Sequence, residues 1–278
     1  MKDENFKLAF ICELPKEHFP FWDDGLAAAL RYLNQKYNWQ IDIYNLPSID
    51  NPILSPNYDF VLFWGALNRL QHEQKLFKKQ GLCFAGGPTF HPNIKNFDII
   101  FAESRVDFKE LKKWGVSTIQ AFGTNTQLFR PIPGQQKVWD YIYPAAFAKW
   151  KRFDKFVEKV KKEKASGLTV GYMQPGGWEK ECYEVCLKNG VVVLPWVPHN
   201  VMPWLYNASR VCLITADEHG GCQRTVLEAK ACGIDVVIIS DSPKLLELND
   251  LEREDVLKNW DEKSYGEKLR KGIFSVFT

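Results

Sequence analysis

Short apolar runs alternate with amphipathic stretches along the whole chain, and this alternation constrains the fold more tightly than any other feature of the sequence. Residues 7–14 (KLAFICEL) form an apolar run of strand length, and Asp23 or Asp24 stands as an N-cap before a helical pattern that runs to about Tyr37. Residues 40–46, 58–64 (YDFVLFW), 82–85 and 98–102 read as further strands. A helix is expected over about 107–114 and a last strand near 118–122. Strands that are apolar throughout are covered on both faces. Linked by crossover helices, they belong in a parallel sheet.

The PIPG stretch at 131–134 interrupts the pattern, and a second block of the same kind follows. Strands are expected over 139–143, 168–173, 191–194, 210–215 and 235–240. Helices are expected over 153–163, 179–189, 202–208, 225–232 and, last, 264–271. The expectation is an α/β protein of two Rossmann-like parallel-sheet domains, residues 1–126 and 127–278, facing each other across a cleft. The last helix is free to pack back on the first domain. In open sheets of this kind a ligand lies beyond the carboxyl ends of the strands. That plan suits periplasmic binding proteins, some kinases and epimerases among others, so function must come from particular residues.

Bulk properties remove some classes. With 36 basic and 34 acidic residues, a net charge of +2, the chain is not a dedicated nucleic-acid clamp, although a local basic patch stays open. At 45% hydrophobic and 25% charged it can fill substantial cores. Its seven cysteines are scattered, with no CxxC pair and no zinc-type spacing, and fit a reduced compartment. Cys182 and Cys186 read as packing thiols. No apolar run approaches the roughly 18 residues that span a bilayer, and no secretory leader is visible, so a cytoplasmic location is expected. The sequon at Asn207 is then without consequence.

Four stretches are more specific. Residues 123–131 read GTNTQLFRP. Residues 149–154 (KWKRFD) bring Lys149, Lys151 and Arg152 together after the second block's first strand. Residues 196–199 (WVPH), with Val197 and Pro198, precede MPWLYNAS at 202–209. Residues 220–233 read GGCQRTVLEAKACG, two glycines followed by a helix that carries Glu228. In this order and spacing they resemble the retaining glycosyltransferases of the GT-B fold, the group 1 family of glycogen-synthase-like and mannosyltransferase-like enzymes. The likeness spans roughly residues 120–245 and marks a divergent, compact relative.

The resemblance implies transfer of a sugar from a UDP- or GDP-sugar co-substrate, with retention and without cofactor or metal. Residues 123–131 match the family's interdomain segment, GVDTxxFxP. The resemblance assigns Lys149, Lys151 and Arg152 to the donor diphosphate, and Val197 and Pro198 to the base. Gly220, Gly221, Cys222, Gln223, Arg224 and Thr225 would receive phosphate and sugar, and Glu228 the ribose. His91, Lys151 and Glu218 are the expected catalytic groups.

The residue types suit this chemistry. A departing nucleotide gains negative charge, which fixed cations and backbone N–H groups stabilise. Gly220 and Gly221 let backbone approach phosphate, and the following helix adds its partial positive charge. Lysine and arginine pair with phosphate oxygens, and a carboxylate such as Glu228 accepts from ribose hydroxyls. Closure of the two domains about residues 123–134 would exclude water, the competing acceptor.

Two positions depart from the family pattern. Where the family has an acid eight residues before the one matched by Glu228, this chain has Gly220, and Glu218 or Asp217 would substitute from a shifted loop. Where the family has an arginine five residues before the diphosphate lysine, this chain has Ala146, leaving Lys149 or Arg224 to supply the charge. The first block also lacks the family's Gly-Gly loop after its first strand. The stretch GGPTFH at 86–91 follows another strand and makes His91 a better candidate than His18 for touching sugar or acceptor.

Plainer readings stand beside these. Gly220 and Gly221 would serve as a turn, Glu228 would stabilise a helix N-terminus, and His91 would order its loop, as His199 is expected to do. His72 reads as surface, and Trp22, Trp64, Trp178 and Trp204, open to stacking on sugar or base, read first as core. Over 149–164 eight basic residues face three acidic ones, and beyond Arg152 this reads as a solvated helix face. The acceptor is open: a saccharide, a small molecule or, given the compact chain, a hydroxymethylated DNA base of the phage type. The 14 basic and 14 acidic residues up to position 125 speak against a duplex docking there. Peripheral membrane contact stays open through the 149–164 stretch. A catalytically degenerate nucleotide- or sugar-binding module is the alternative that Gly220 and Ala146 favour, and an epimerase is a third.

Overall fold

Two parallel sheets organise the chain. The computed structural model describes residues 4–46, 57–69, 72–87, 89–171 and 178–278. They divide into one unit of Met1–Gly123 with Asp261–Thr278 and a second of Thr124–Trp260.

The first unit holds β1 (Lys7–Cys12), α1 (Gly25–Tyr37), β2 (Gln40–Asn45), β3 (Phe60–Gly65), β4 (Gln80–Phe84), β5 (Ile99–Ala102), α2 (Arg105–Lys113) and β6 (Thr118–Gln120). The strands run in the order β2-β1-β3-β4-β5-β6, every pair parallel. Along β1, Leu8, Phe10 and Cys12 enter the core that α1 covers. Ala9 and Ile11 enter the core on the opposite face, with Phe63, Ile100 and Leu111 of α2. Two covered faces are what unbroken apolar strands require. Asp24 caps α1, accepting from the N–H groups of Leu26 and Ala27 at 2.9 and 3.0 Å, while Asp23 pairs with Arg31 instead. α2 begins ahead of the expected residue 107 because Ser104 caps it, accepting from the Asp107 N–H at 3.0 Å.

His72, expected at the surface, is fully buried. Its ring lies edge-on to Phe63 and Phe97, and Nδ1 donates to the Ala66 carbonyl at 2.8 Å. Burial holds the imidazole neutral, with its pKa lowered to about 4.

The second unit holds β7 (Trp139–Pro144), α3 (Phe153–Glu163), β8 (Gly167–Val170), α4 (Trp178–Lys188), β9 (Val192–Leu194), α5 (Met202–Asn207), β10 (Ser209–Ile214), α6 (Gln223–Ala231), β11 (Asp235–Ile238), α7 (Pro243–Leu246) and α8 (Arg253–Asn259). Its strands run β11-β10-β7-β8-β9, again all parallel. The strand expected over 168–173 ends at Val170, and residues 172 and 173 lie outside the described residues. α6 starts two residues before the expected Thr225. The short helices α7 and α8 were not anticipated, although Ser242-Pro243 and the Glu252–Asp255 capping box are helix-start signals. α3 buries Phe153, Phe156, Val157 and Val160 and turns its lysines to solvent, a solvated face as read from its sequence.

The last helix, α9 (Glu262–Ser275), belongs to the first unit. Tyr265, Leu269 and Ile273 enter the core beside α1. Gly272 permits the approach: a Cβ there would stand 2.4 Å from Phe101 Cε1. A polar anchor adds to the packing. Glu267 Oε1 accepts from Lys36 and Tyr32, each at 2.7 Å, and from Tyr37 at 2.6 Å. Burial alone would raise its pKa, but these hydrogen bonds outweigh it and hold the carboxyl at about 2, against an ordinary 4.5. The stabilisation is therefore whole above pH 4.5 and is lost as pH falls toward 2. Glu267→Gln is expected to lower the unfolding temperature at neutral pH, and the gap to the parent should shrink across that acid range. A gap unchanged on acidification, measured by thermal melts of both proteins, would mean the anchor is not ionic.

Candidate functional site

Strand order picks out one place in the second unit. The chain runs outward from β7 through β8 to β9, then returns to the other side of β7 as β10, so the order reverses between β7 and β10. A crevice opens beyond the carboxyl ends of strands at such a point. Three segments meet there.

The first is the turn after β7. Lys149–Lys151 forms a single 3-10 turn, Arg152 takes a left-handed backbone (φ 51°, ψ 53°), and α3 follows. The second is the end of β10. Thr215 Oγ1 lies 3.0 Å from the Arg152 carbonyl oxygen and 3.2 Å from that of Lys151, and the Asp217 N–H donates to the Trp150 carbonyl at 2.8 Å. The third is the start of α6, where Thr225 Oγ1 donates to the Pro144 carbonyl at 3.0 Å. Tyr143 donates from below to the Lys151 carbonyl at 2.9 Å. Burial first, and the neighbouring Cys222 next, push this phenol well above its ordinary pKa, so it stays a donor.

The cations on this turn already have partners. Lys151 Nζ donates to the Gly221 carbonyl and lies 3.2 Å from Cys222 Sγ. Arg152 grips Asp154 with contacts of 2.7–3.2 Å, which raises the guanidinium pKa and lowers that of the carboxyl. Lys149 is exposed. In this partly buried loop the nearest acceptors engage Lys151 and Arg152.

The glycines have close neighbours within the protein. A Cβ on Gly220 would stand 2.6 Å from Ala216 Cβ and 2.8 Å from the Trp150 carbonyl oxygen, so its bare face lies against the protein itself. Beside it, Gln223 folds back until its Oε1 lies 2.6 Å from where a Gly221 Cβ would be. Glu218 is exposed at the tip of this loop, 3.5 Å from His219, and Asp217 Oδ1 accepts from the His219 N–H at 2.9 Å. The N-cap of α6 is the buried Cys222, whose own side chain makes no capping hydrogen bond. Arg224 and Thr225 are half-buried in its first turn.

Glu228 is the sixth residue of α6 and is buried. Its Oε2 accepts from the Tyr206 hydroxyl at 3.0 Å. Burial, then the neighbouring carboxylate, raise the Tyr206 pKa, which keeps that phenol a donor. Val197 and Pro198 are half-buried in the turn between β9 and α5, where the Val201 N–H donates to the Pro198 carbonyl at 2.9 Å. They stand at the edge of the sheet, two strands from β7. His91 is in the first unit, where its Nδ1 accepts from the Asn93 N–H at 3.3 Å and caps the 3-10 turn Pro92–Asn96. Trp204, expected in the core, is 55% exposed on α5. The side chain of Trp178 lies outside the described residues. Tyr143, Thr215 and Tyr206 were missed in sequence, although a buried tyrosine always needs a partner for its hydroxyl. Among the described residues, no group of three or more His, Cys, Asp and Glu side chains is arranged to hold a metal, and no helix is long and apolar enough to cross a membrane.

No protein-family model matches the sequence, and no curated protein matches it. Solved structures do. AviGT4, a glycosyltransferase involved in avilamycin A biosynthesis, superposes with a TM-score of 0.67 over 98% of both chains at 12% identity. HepE of Anabaena, in complex with UDP and glucose, gives 0.58 over 98% of this chain and 97% of that one, at 13% identity. The fold is GT-B. A putative UDP-N-acetylglucosamine 2-epimerase from Listeria monocytogenes is similar too, at 0.56 and 15% identity over 98% of this chain and 97% of that one.

The wall around Gly220 yields a prediction. Gly220→Ala and Gly220→Glu are both expected to destabilise the fold by about 1–3 kcal/mol, because backbone of the facing turn has to move. Urea denaturation of the two variants checks it. Parent-like midpoints in both would mean the loop gives way freely.

Proposed function

We propose that this chain is a glycosyltransferase that moves a sugar from a nucleoside diphosphate sugar, a UDP- or GDP-sugar, to an acceptor hydroxyl. The observation that carries this reading is the cationic turn at the β7/β10 reversal, where Lys149, Lys151 and Arg152 meet the start of α6, whose N-cap Cys222 makes no capping bond through its side chain. A diphosphate leaving group needs such fixed charge, and a helix N-terminus supplies N–H donors beside it. In the first unit α1 is capped by Asp24, whose own carboxylate takes the place of an anion.

On this proposal Lys151 exchanges the Gly221 carbonyl and Cys222 sulfur for phosphate oxygens, and Arg152 exchanges Asp154 for the same diphosphate. Lys149 adds charge from the exposed side. The backbone from Gly220 and Gly221 through Cys222, Gln223, Arg224 and Thr225 lines the phosphate and sugar. Glu228, oriented by Tyr206, accepts from the ribose, and Val197 with Pro198 borders the base. His91 and Glu218 remain the candidates for the acceptor and for the reacting sugar. Cations and a helix terminus carry the electrostatics, so transfer is expected without metal or other cofactor. Retention at the anomeric carbon is proposed from the resemblance alone, and a cytoplasmic location from the sequence. HepE, solved with UDP and glucose, supports a uridine donor. The balance of 14 basic and 14 acidic residues up to position 125 favours a saccharide or small-molecule acceptor over a DNA base.

A second reading has an observation of its own. The partners that already engage Lys151 and Arg152, and the walled-in Gly220, are what a relative that binds nucleotide without transferring sugar would show. The putative epimerase from Listeria monocytogenes shares the fold.

Thermal melts with UDP, GDP, ADP, TDP and CMP and their sugar conjugates, with and without a divalent cation, test the donor site. A ligand at a hundredfold over its Kd is expected to add about 2.7 kcal/mol, a shift of several degrees. The shift should be metal-independent and lost in Lys151→Ala and Glu228→Ala. No shift with any nucleotide sinks the donor site. A shift without transfer to any acceptor, or with epimerised sugar in the products, moves the assignment to one of the other readings.

A further inference from the structure

Among the described residues four non-glycines have a left-handed backbone: Asn5, Asn38, Arg152 and Lys164. Asparagine tolerates this region, and Lys164 ends α3, where the left-handed conformation is common. Arg152 stands at the start of a helix, where its Cβ crowds the backbone at a steric cost that glycine would avoid. Such strain persists only where surrounding contacts over-determine it.

Those contacts are visible. Tyr143 and Thr215 are both fully buried. Their hydroxyls converge on the carbonyls of the two residues that carry the cations: Tyr143 on Lys151 at 2.9 Å, Thr215 on Arg152 at 3.0 Å and on Lys151 at 3.2 Å. The single Thr215 proton is shared between the two carbonyls, and Tyr143 adds a second donor at that of Lys151. Phenylalanine and valine would fill the same volumes, and burying two hydroxyls is unfavourable unless each is bonded. The hydroxyls therefore serve the turn, and glycine at position 152 would remove the strain if packing were all the turn had to do.

We infer that Tyr143 and Thr215 are positioning residues, a buried hydroxyl clamp that holds the Lys151–Arg152 turn in its left-handed form and aims both cations at a diphosphate. The inference rests on the donor site proposed above and deepens it. The clamp touches no ligand. It fixes the backbone from which two flexible side chains reach, so that less of their freedom is lost when phosphate oxygens are engaged.

The test measures affinity by calorimetry for inorganic pyrophosphate, for UDP and GDP, and for uridine and guanosine. Parent, Tyr143→Phe, Thr215→Val, Thr215→Ser and Arg152→Gly are compared, with amide hydrogen exchange of the ligand-free proteins beside them. Tyr143→Phe and Thr215→Val should weaken pyrophosphate and diphosphate binding about tenfold and leave the nucleoside within about twofold, with Thr215→Ser restoring the parent value. Exchange at the Lys151, Arg152 and Lys155 amides should rise in the two weakened variants. Arg152→Gly should melt no lower than the parent while losing diphosphate affinity, a pairing that a purely structural arginine would not give.

The clamp is overturned if the folded Tyr143→Phe and Thr215→Val variants hold pyrophosphate within about twofold of the parent, or if nucleoside and diphosphate affinities fall together, as general loosening would produce. A parent that binds no pyrophosphate also overturns it. A parent that binds pyrophosphate but no nucleotide removes the glycosyltransferase reading alone, and the clamp then stands on its variants.

Discussion

The parallel pairing of β7 with β10 is the contact on which the second unit's chemistry depends. Parallel strands deliver their carboxyl ends to one edge of the sheet, and the register that sets Cys212 beside Ile142 brings the residues that follow each strand into reach of one another. Pro144, at the end of β7, is then met by Thr225, and the Lys151–Arg152 carbonyls by Thr215. Every other feature of the site rests on this. Were β10 to stand elsewhere in the sheet, the cationic turn and α6 would have no common neighbour.

The two units use the same layout to opposite electrostatic effect. In the first, Asp24 satisfies the opening N–H groups of α1 and adds its charge there. In the second, the equivalent position before α6 is Cys222, with Lys151 beside it. A capping carboxylate is worth about 1 kcal/mol to a helix. Its absence from α6 leaves that helix end positive, which is the character an anionic ligand requires.

Magnitudes decide whether the internal partners of the cations are an obstacle. Arg152 and Asp154 form a largely exposed pair, and such pairs contribute about 0–1 kcal/mol. Lys151 donates to a neutral carbonyl and a thiol, weaker acceptors than phosphate. On the proposed donor site, phosphate would offer both cations a stronger acceptor than the one each now has. Gly220 differs in kind. Its wall is the backbone of Trp150 and the Cβ of Ala216, which cannot swing aside as a side chain does, so a carboxylate from that position is closed off by packing.

Much of the architecture was legible in the sequence because it rests on local signals. The apolar runs of β1, β3 and β5, the Asp24 cap and the amphipathic α3 depend on residues close along the chain, and both sheets follow from strands alternating with helices. The Ser104 cap and the helices α7 and α8 had signals too, but short ones that only surrounding contacts turn into structure. His72 was misread because a lone imidazole in a polar stretch carries no pattern, and its burial is decided by Phe63 and Phe97 from elsewhere in the chain. In the site, the sequence named the cations, the glycines and Glu228 by type and order. It could not tell that Lys151 reaches Gly221 and Cys222, that Gly220 lies against Trp150, or that Tyr143 and Thr215 hold the turn. Those relations join residues about 60 to 70 positions apart in most cases, and a carbonyl or hydroxyl acquires its partner only when the sheet closes. The sequence by itself therefore determined the sheet strands, the longer helices and which charges the chain carries. Which charges meet, and what each glycine stands against, was decided by the tertiary structure, because strand order and not chain proximity chooses the neighbours.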